Sequence, residues 1–291
     1  MNKERLSGLV PPLVTPFDSE GQVDEAAFRA EVRFLVRTGV HGLSSGGSTG
    51  EGALLSDAEC RRCLEIIGEA NMNRLPMYAG IIRNSTRDVI RAGREAKAVG
   101  ADVLLVTPVS YHGATEENFE FFRDISEAVK LPTIIYNVVP GNLISPALFY
   151  RLARLEWVLG IKQVDPVKMA EMACAGGYHV YCACDQMLYG TYVSGACGAI
   201  SAMITVAPEL CVNQWLAFQD GRQDEAMAIQ KTLTPIVTTY LTPPYPPKVK
   251  ALINLQGRSA GVARKPAHMP PEATLALMRS ALQAAGLPVA R

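Results

Sequence analysis

One lysine stands inside an otherwise apolar run, Val158-Leu159-Gly160-Ile161-Lys162-Gln163. The run has the length and composition of a buried strand. Burying an ammonium is costly unless it is paired, hydrated or deprotonated. A lysine amine held in such surroundings can attack a carbonyl carbon and form an imine. The competing reading sets Lys162 just past the strand, with its head group in solvent. A second candidate is Tyr136, closing the run Thr133-Ile134-Ile135-Tyr136-Asn137. A phenol can donate and accept a proton between a nucleophile and a substrate oxygen, although a tyrosine there can also serve as amphipathic packing.

Two further segments carry polar groups in patterns that could serve chemistry. Gly46-Gly47-Ser48-Thr49-Gly50-Glu51-Gly52 combines glycines with two hydroxyls. Its backbone N–H groups can turn into one concavity, a nest that suits a carboxylate or phosphate, with Glu51 bracing the loop through backbone N–H groups. The alternative is a plain flexible loop. Val106-Thr107-Pro108-Val109-Ser110-Tyr111-His112-Gly113 brings three proton-carrying side chains together after an apolar run.

These residues need elements to hold them. Short apolar runs alternate with segments of helical period. The expected strands are Leu9–Thr15, Gly42–Ser45, Met77–Ile81, Val103–Thr107, Thr133–Asn137, Val158–Gln163, Val180–Cys184 and Ala199–Met203. Between them the spacing predicts helices over Glu25–Thr38, Asp57–Met72, Thr86–Val99, Glu116–Val129, Pro146–Leu155 and Pro208–Gln219. Ser56-Asp57, Ser85, Thr115 with Asn118, and Ser145-Pro146 mark helix starts. The strands do not alternate strictly, as expected where helices bury both faces. Alternation of this kind implies a parallel sheet with right-handed crossovers. Eight units fit a (β/α)8 barrel, and no GxGxxG spacing supports a dinucleotide-binding open sheet. In a barrel, chemistry is expected at the C-terminal ends of the strands.

After about residue 222 only helices are expected: Asp224–Tyr240, Lys248–Leu255 and Glu272–Ala284, with Pro243-Pro244-Tyr245-Pro246-Pro247 dividing the first two. The expected organisation is therefore a barrel over 1–222 and a helical extension over 223–291.

Composition removes several function classes. The 291 residues carry 28 basic and 28 acidic side chains, with 48% apolar residues. Zero net charge gives no reason to expect nucleic acid or an anionic membrane as partner. No apolar stretch approaches the length of a membrane span. Met1 to Leu6 leads into Gly8 and Pro11-Pro12 instead of an apolar signal core, so a cytoplasmic location is expected. Seven cysteines at irregular spacings suit a reduced compartment. Cys60 with Cys63, and Cys182 with Cys184, read as small buried thiols, with redox or metal roles as the alternative. The four histidines lack zinc-ligand spacing, so no metal site is expected.

Taken together, the order and spacing of these motifs resemble the dihydrodipicolinate synthase / N-acetylneuraminate lyase family of class I aldolases. The resemblance runs through Leu13-Val14-Thr15-Pro16-Phe17, GSTGE (Gly47 to Glu51), VTP (Val106 to Pro108), Tyr136-Asn137, GIK (Gly160 to Lys162), GACGAIS (Gly195 to Ser201) and Val206-Ala207-Pro208. It implies a (β/α)8 TIM barrel with a C-terminal helical extension, assembled as a homotetramer of two dimers. It implies Lys162 as the Schiff-base lysine and Tyr136 as the proton relay. Gly47, Ser48 and Thr49 would hold the carboxylate of pyruvate or another 2-oxo acid, and the Ile200 carbonyl would line the site. No cofactor is implied beyond the covalent imine.

Two positions depart from the pattern. Members that condense pyruvate with aspartate semialdehyde carry an arginine after the tyrosine strand, whereas Tyr136-Asn137-Val138-Val139-Pro140-Gly141-Asn142 has none. Ser110 stands where many members place a second tyrosine, with Tyr111 as a neighbour one residue out of step. The leading expectation is therefore aldol cleavage or condensation of a 4-hydroxy-2-oxo or 2-keto-3-deoxy acid. The rivals are dehydration or deamination of a hydroxylated 2-oxo acid, then condensation with aspartate semialdehyde, and lastly a barrel that binds a 2-oxo acid without turnover.

Overall fold

The computed structural model describes residues 6–71, 74–110 and 115–290. Eight strands form one parallel sheet in the order β1-β8-β7-β6-β5-β4-β3-β2. They are β1 (Gly8–Leu9), β2 (Leu43–Ser45), β3 (Met77–Ile81), β4 (Val103–Val106), β5 (Thr133–Asn137), β6 (Val158–Gln163), β7 (His179–Cys182) and β8 (Gly198–Ala199). A parallel bridge between Pro12 and Ser44 closes β1 onto β2. The molecule is thus a (β/α)8 barrel with additional C-terminal helices.

The strand ends show where periodicity misleads. The expected first strand ran to Thr15, but β1 stops at Leu9. Pro11 and Pro12 have no N–H for a ladder, so closure passes through Leu13 N–H to the Ser44 carbonyl at 2.8 Å and Ser44 N–H to the Pro11 carbonyl at 3.1 Å. The expected last strand ran to Met203, but β8 ends at Ala199. Ser201 then caps a buried helix over Ala202–Val206 by accepting from Met203 N–H. A short apolar run reads alike as buried strand or buried helix.

Helices α1 to α7 fill the crossovers, at Glu25–Val36, Asp57–Asn71, Thr86–Ala98, Thr115–Val129, Pro146–Leu152, Pro166–Cys174 and Leu188–Val193, and α8 (Ala202–Val206) and α9 (Pro208–Gln219) follow β8. Their starts follow side-chain chemistry. Ser56 and Glu59 form a reciprocal capping box, and Ser85 and Ser145 accept from the N–H groups of Asp88 and Leu148. Asn118 plays no capping part; its amide donates to Asn142 Oδ1 at 2.7 Å. The chain ends in α10 (Gln223–Tyr240), α11 (Tyr245–Leu255) and α12 (Glu272–Ala284). Helix α11 begins three residues before the expected Lys248, because Pro246 and Pro247 occupy its first turn, where a missing N–H costs nothing.

The core has two layers, and β4 shows how one strand serves both. Val103 and Leu105 face the barrel interior with Leu6, Val10, Ile134 and Ile200, while Leu104 and Val106 face the helices with Phe122 and Ile135. Ion pairs clamp the C-terminal segment to the barrel: Lys250 with Glu51, Arg258 with Glu31 and Arg264 with Glu59. Among the described residues, no helix is long and apolar enough to cross a membrane.

Candidate active site

Parallel register sets the central pair. Tyr136 on β5 and Lys162 on β6 are partners across adjacent strands, and both side chains enter the interior at the C-terminal ends of those strands. Lys162 is 5% exposed, so the solvent-facing alternative for its head group does not hold. Its Nζ lies 4.1 Å from the centre of the Tyr136 ring. The Tyr136 hydroxyl donates to Ser48 Oγ at 3.1 Å and accepts from Ser48 N–H at 3.4 Å. Burial pushes the Tyr136 phenol up, but the Lys162 charge and the Ser48 contacts outweigh it, and its pKa lies below the usual tyrosine value.

The β2–α2 loop brings Ser48 there because its backbone is folded tightly against β3. Gly46 has φ +80°, and a Cβ on it would lie 2.5 Å from the Gly80 carbonyl oxygen. A Cβ on Gly52 would lie 1.8 Å from the Gly46 oxygen, so a larger residue at either position would force the loop open. Gly47 lies against the Tyr136 ring. Thr49 is buried, and its hydroxyl sits 3.3 Å from the Tyr245 hydroxyl. Glu51 adopts φ 55° and braces the loop by a route only partly expected. It accepts from Arg264 N–H at 3.1 Å and pairs with the buried Lys250 ammonium at 2.5 Å. The loop is thereby tied to α11.

Lys162, Tyr136, Ser48, Thr49 and Ile200 all line one cavity of about 200 Å³. Its other polar walls are Asp185, Ser201 and Tyr245; Val138, Val164, Ala183 and Leu241 supply the apolar ones. Known proteins share this arrangement of chain. The sequence pattern of the dihydrodipicolinate synthetase family matches residues 5–285. The chain belongs to the dihydrodipicolinate synthetase family. It is 36% identical over 290 residues to a 4-hydroxy-tetrahydrodipicolinate synthase of Hyphomonas neptunium, across 96% of this chain and 98% of that one. Among solved structures it is similar to YagE of E. coli K12, a member of this family in complex with pyruvate. That match has TM-score 0.91 and 29% identity, and covers 97% and 99% of the two chains. A chloride-inhibited dihydrodipicolinate synthase of Acinetobacter baumannii, complexed with pyruvate, matches with TM-score 0.92 and 27% identity over 97% and 99%. This member of the dihydrodipicolinate synthetase family is therefore an enzyme, a lyase of the class I aldolase type.

Not every expected residue of this family member joins the cavity. Ser110 is exposed, its N–H donates to Asn84 Oδ1 at 2.9 Å, and it does not line the cavity. Tyr111 and His112 lie outside the described residues. Asn142 is buried and spent on structure: its amide donates to the Val109 carbonyl at 2.8 Å and pairs with Asn118. Of the arginine-free loop after β5, only Val138 lines the cavity.

Residues that sequence reading passed over supply the opposite wall. Asp185 follows β7 and is 5% exposed; Ser201 donates to its Oδ1, and Tyr240 of α10 donates to its Oδ2 at 2.5 Å. Burial pushes the Asp185 carboxyl above its usual range against those two donors. The rule that chemistry gathers after barrel strands marks Asp185 as well as Lys162. Tyr240 and Tyr245 carried no local signal, since both reach the barrel from the extension. Of the paired thiols, Cys63 behaves as packing: it is buried, and burial pushes its pKa up to about 12, far from a reactive thiolate.

Proposed function

We propose that Lys162 forms an imine with the keto carbon of a short 2-oxo acid, pyruvate in the simplest case. The carbon–carbon bond beside that carbon is then made or broken. The observation that supports this most directly is a buried lysine amine set 4.1 Å over a tyrosine ring whose hydroxyl engages Ser48, all within one cavity. Mere binding of a 2-oxo acid would need neither an imine-forming amine nor a proton relay beside it.

The steps balance without an outside reagent. Lys162 attacks as the free amine, and the carbinolamine loses water to give a protonated imine. Tyr136 carries the protons, accepting one from the attacking nitrogen and giving one to the departing hydroxyl. In the cleavage direction a 4-hydroxyl gives its proton to the Tyr136 oxygen, the C3–C4 bond breaks, and its electron pair flows into the imine. An aldehyde leaves, and an enamine remains. Protonation of that enamine and hydrolysis return pyruvate and Lys162. Ser48 and Thr49, with the backbone at Gly47, hold the carboxylate by fixed donors in a water-poor site, and the Ile200 carbonyl lines the wall. The imine is itself the electron sink, so these steps call on no metal or organic cofactor. The assembly carried with this proposal is a homotetramer of two dimers.

Cavity shape bears on the substrate. About 200 Å³ is below the roughly 300–1,000 Å³ of pockets for drug-sized ligands, which favours a 2-oxo acid of few carbons over a long sugar acid. Condensation with aspartate semialdehyde is a second reading, favoured by the activity named for the 36%-identical relative. Against it stands the arginine-free loop, which offers no bidentate partner to the second substrate's carboxylate.

The test is reductive trapping. Borohydride reduction in the presence of pyruvate should add one pyruvate-derived mass to the Lys162 peptide and none to Lys162→Ala. Adducts with longer hydroxylated 2-oxo acids but not with pyruvate would move the reading to dehydration or deamination. No adduct with any 2-oxo acid would overturn it. Turnover with aspartate semialdehyde would decide for the second reading.

A further inference from the structure

Tyr245 is the first residue of α11, yet it lines the same cavity as Lys162. The prolines flanking it fix the chain at this point: Pro244 precedes the helix in an extended conformation, and Pro246 and Pro247 complete its first turn. The Tyr245 ring packs 5.9 Å from that of Tyr240, whose hydroxyl is committed to Asp185. The Tyr245 hydroxyl has no such commitment among the described residues. Its contact with Thr49 Oγ1, at 3.3 Å, is longer than the roughly 2.5–3.0 Å of a well-formed hydroxyl pair. Two hydroxyls, each with a proton to give, therefore face one another loosely at the wall where the proposed carboxylate site lies.

We propose that Tyr245 is a substrate-binding residue, the donor from the C-terminal extension that completes the carboxylate site formed by Ser48 and Thr49. This rests on the imine reading, because it is the 2-oxo acid's carboxylate that the phenol meets. When a carboxylate enters, the long hydroxyl–hydroxyl contact gives way to charge-assisted bonds, which are shorter and about twice as strong. Burial holds the Tyr245 phenol well above its usual pKa, so it stays a donor throughout the range in which the substrate is an anion. The extension is then part of the binding site, and the Glu51–Lys250 pair keeps α11 and the loop in register while the two donors act together.

The test compares wild type with Tyr245→Phe, which removes only the hydroxyl, in borohydride trapping over a range of pyruvate and of acetone concentrations. Acetone offers the same keto carbon without the carboxylate. The expected result is a rise of about tenfold in the pyruvate concentration for half-trapping. The trapping ceiling, the thermal midpoint and the acetone curve should stay unchanged. Equal shifts for pyruvate and acetone would make Tyr245 a packing residue and overturn its role. So would unchanged curves for both. Should wild type trap nothing, the imine reading falls, and calorimetric titration of pyruvate into wild type and Tyr245→Phe still decides whether the phenol binds a carboxylate.

Discussion

Two tyrosine sites share the barrel interior and differ in almost everything that matters for chemistry. Tyr78 on β3 and Tyr181 on β7 meet across the barrel, their hydroxyls 3.0 Å apart and their rings edge to face, beneath Leu6 where the chain enters β1. Tyr136 belongs to the same interior cluster, yet it faces Lys162 and Ser48. Burial pushes Tyr78 and Tyr181 upward in pKa, and the phenol each has for a neighbour offers no positive charge to offset it. Burial acts equally on Tyr136, but an ammonium beside the ring reverses the direction. The same side chain at the same depth is a strut in one place and, in the proposed mechanism, an acid–base group in the other. What decides is the charge of its neighbour and access to a cavity.

The largest effect should come from deleting the hydroxyl at the active end. Tyr136→Phe keeps the ring under Lys162 but removes the proton relay, so kcat should fall by about 10²–10³-fold. The thermal midpoint should move little, since the two hydrogen bonds lost, both to Ser48, are long at 3.1 and 3.4 Å. Steady-state kinetics with the substrate found by trapping, alongside a melting curve, check this. A fall below threefold would make Tyr136 a strut like Tyr181 and collapse the contrast.

The contrast also marks the limits of reading the chain alone. The strands bearing Tyr136 and Lys162 were legible because five or six apolar residues bounded by turns leave few alternatives, and β3, β5 and β6 have the expected limits. The Ser48 loop was legible as a tight polar turn because glycines cluster there beside two hydroxyls, and Gly46 and Gly52 do pack where a side chain would clash. Strand ends at Pro11-Pro12 and Ser201 were not, since hydrogen bonding and not hydrophobicity ends them. The opposite wall was hidden for a different reason. Asp185 draws its environment from Ser201 and Tyr240, and Tyr245 reaches Thr49 across 196 positions of chain. Contacts over such separations leave no periodic trace, and Glu51 with Lys250 is the same case.

A finer test asks whether the Lys162 charge is what sets Tyr136 apart. In Lys162→Met the downward influence disappears while burial remains, so the Tyr136 phenol should titrate at higher pH than in wild type. Tyrosinate absorbance, differenced against Tyr136→Phe in each background, isolates that one group. Because the wild-type folded pKa is depressed, ionised Tyr136 adds stability above the unfolded value, and that contribution is lost as pH falls through the folded one. An unchanged titration in Lys162→Met would mean that Ser48, and not the lysine, tunes the phenol.

The smallest expected effect lies at the closed end. Tyr181→Phe removes one hydroxyl from a pair whose partner Tyr78 stays near the Leu6 carbonyl, at 3.5 Å. Stability should drop by about 1 kcal/mol, with kcat and trapping unchanged. The loss should also depend on pH. Both phenols have folded pKa values raised above the unfolded one, so their burial contributes fully below about pH 10 and is lost as pH climbs from there through the folded values. Wild type should therefore lose stability above that pH more steeply than Tyr181→Phe, which has one fewer buried phenol to ionise on unfolding. Denaturant melts at neutral and alkaline pH measure both slopes. Parallel slopes would mean that the closed pair ionises without unfolding, and the two ends of the barrel would then differ in access to substrate but not in electrostatics.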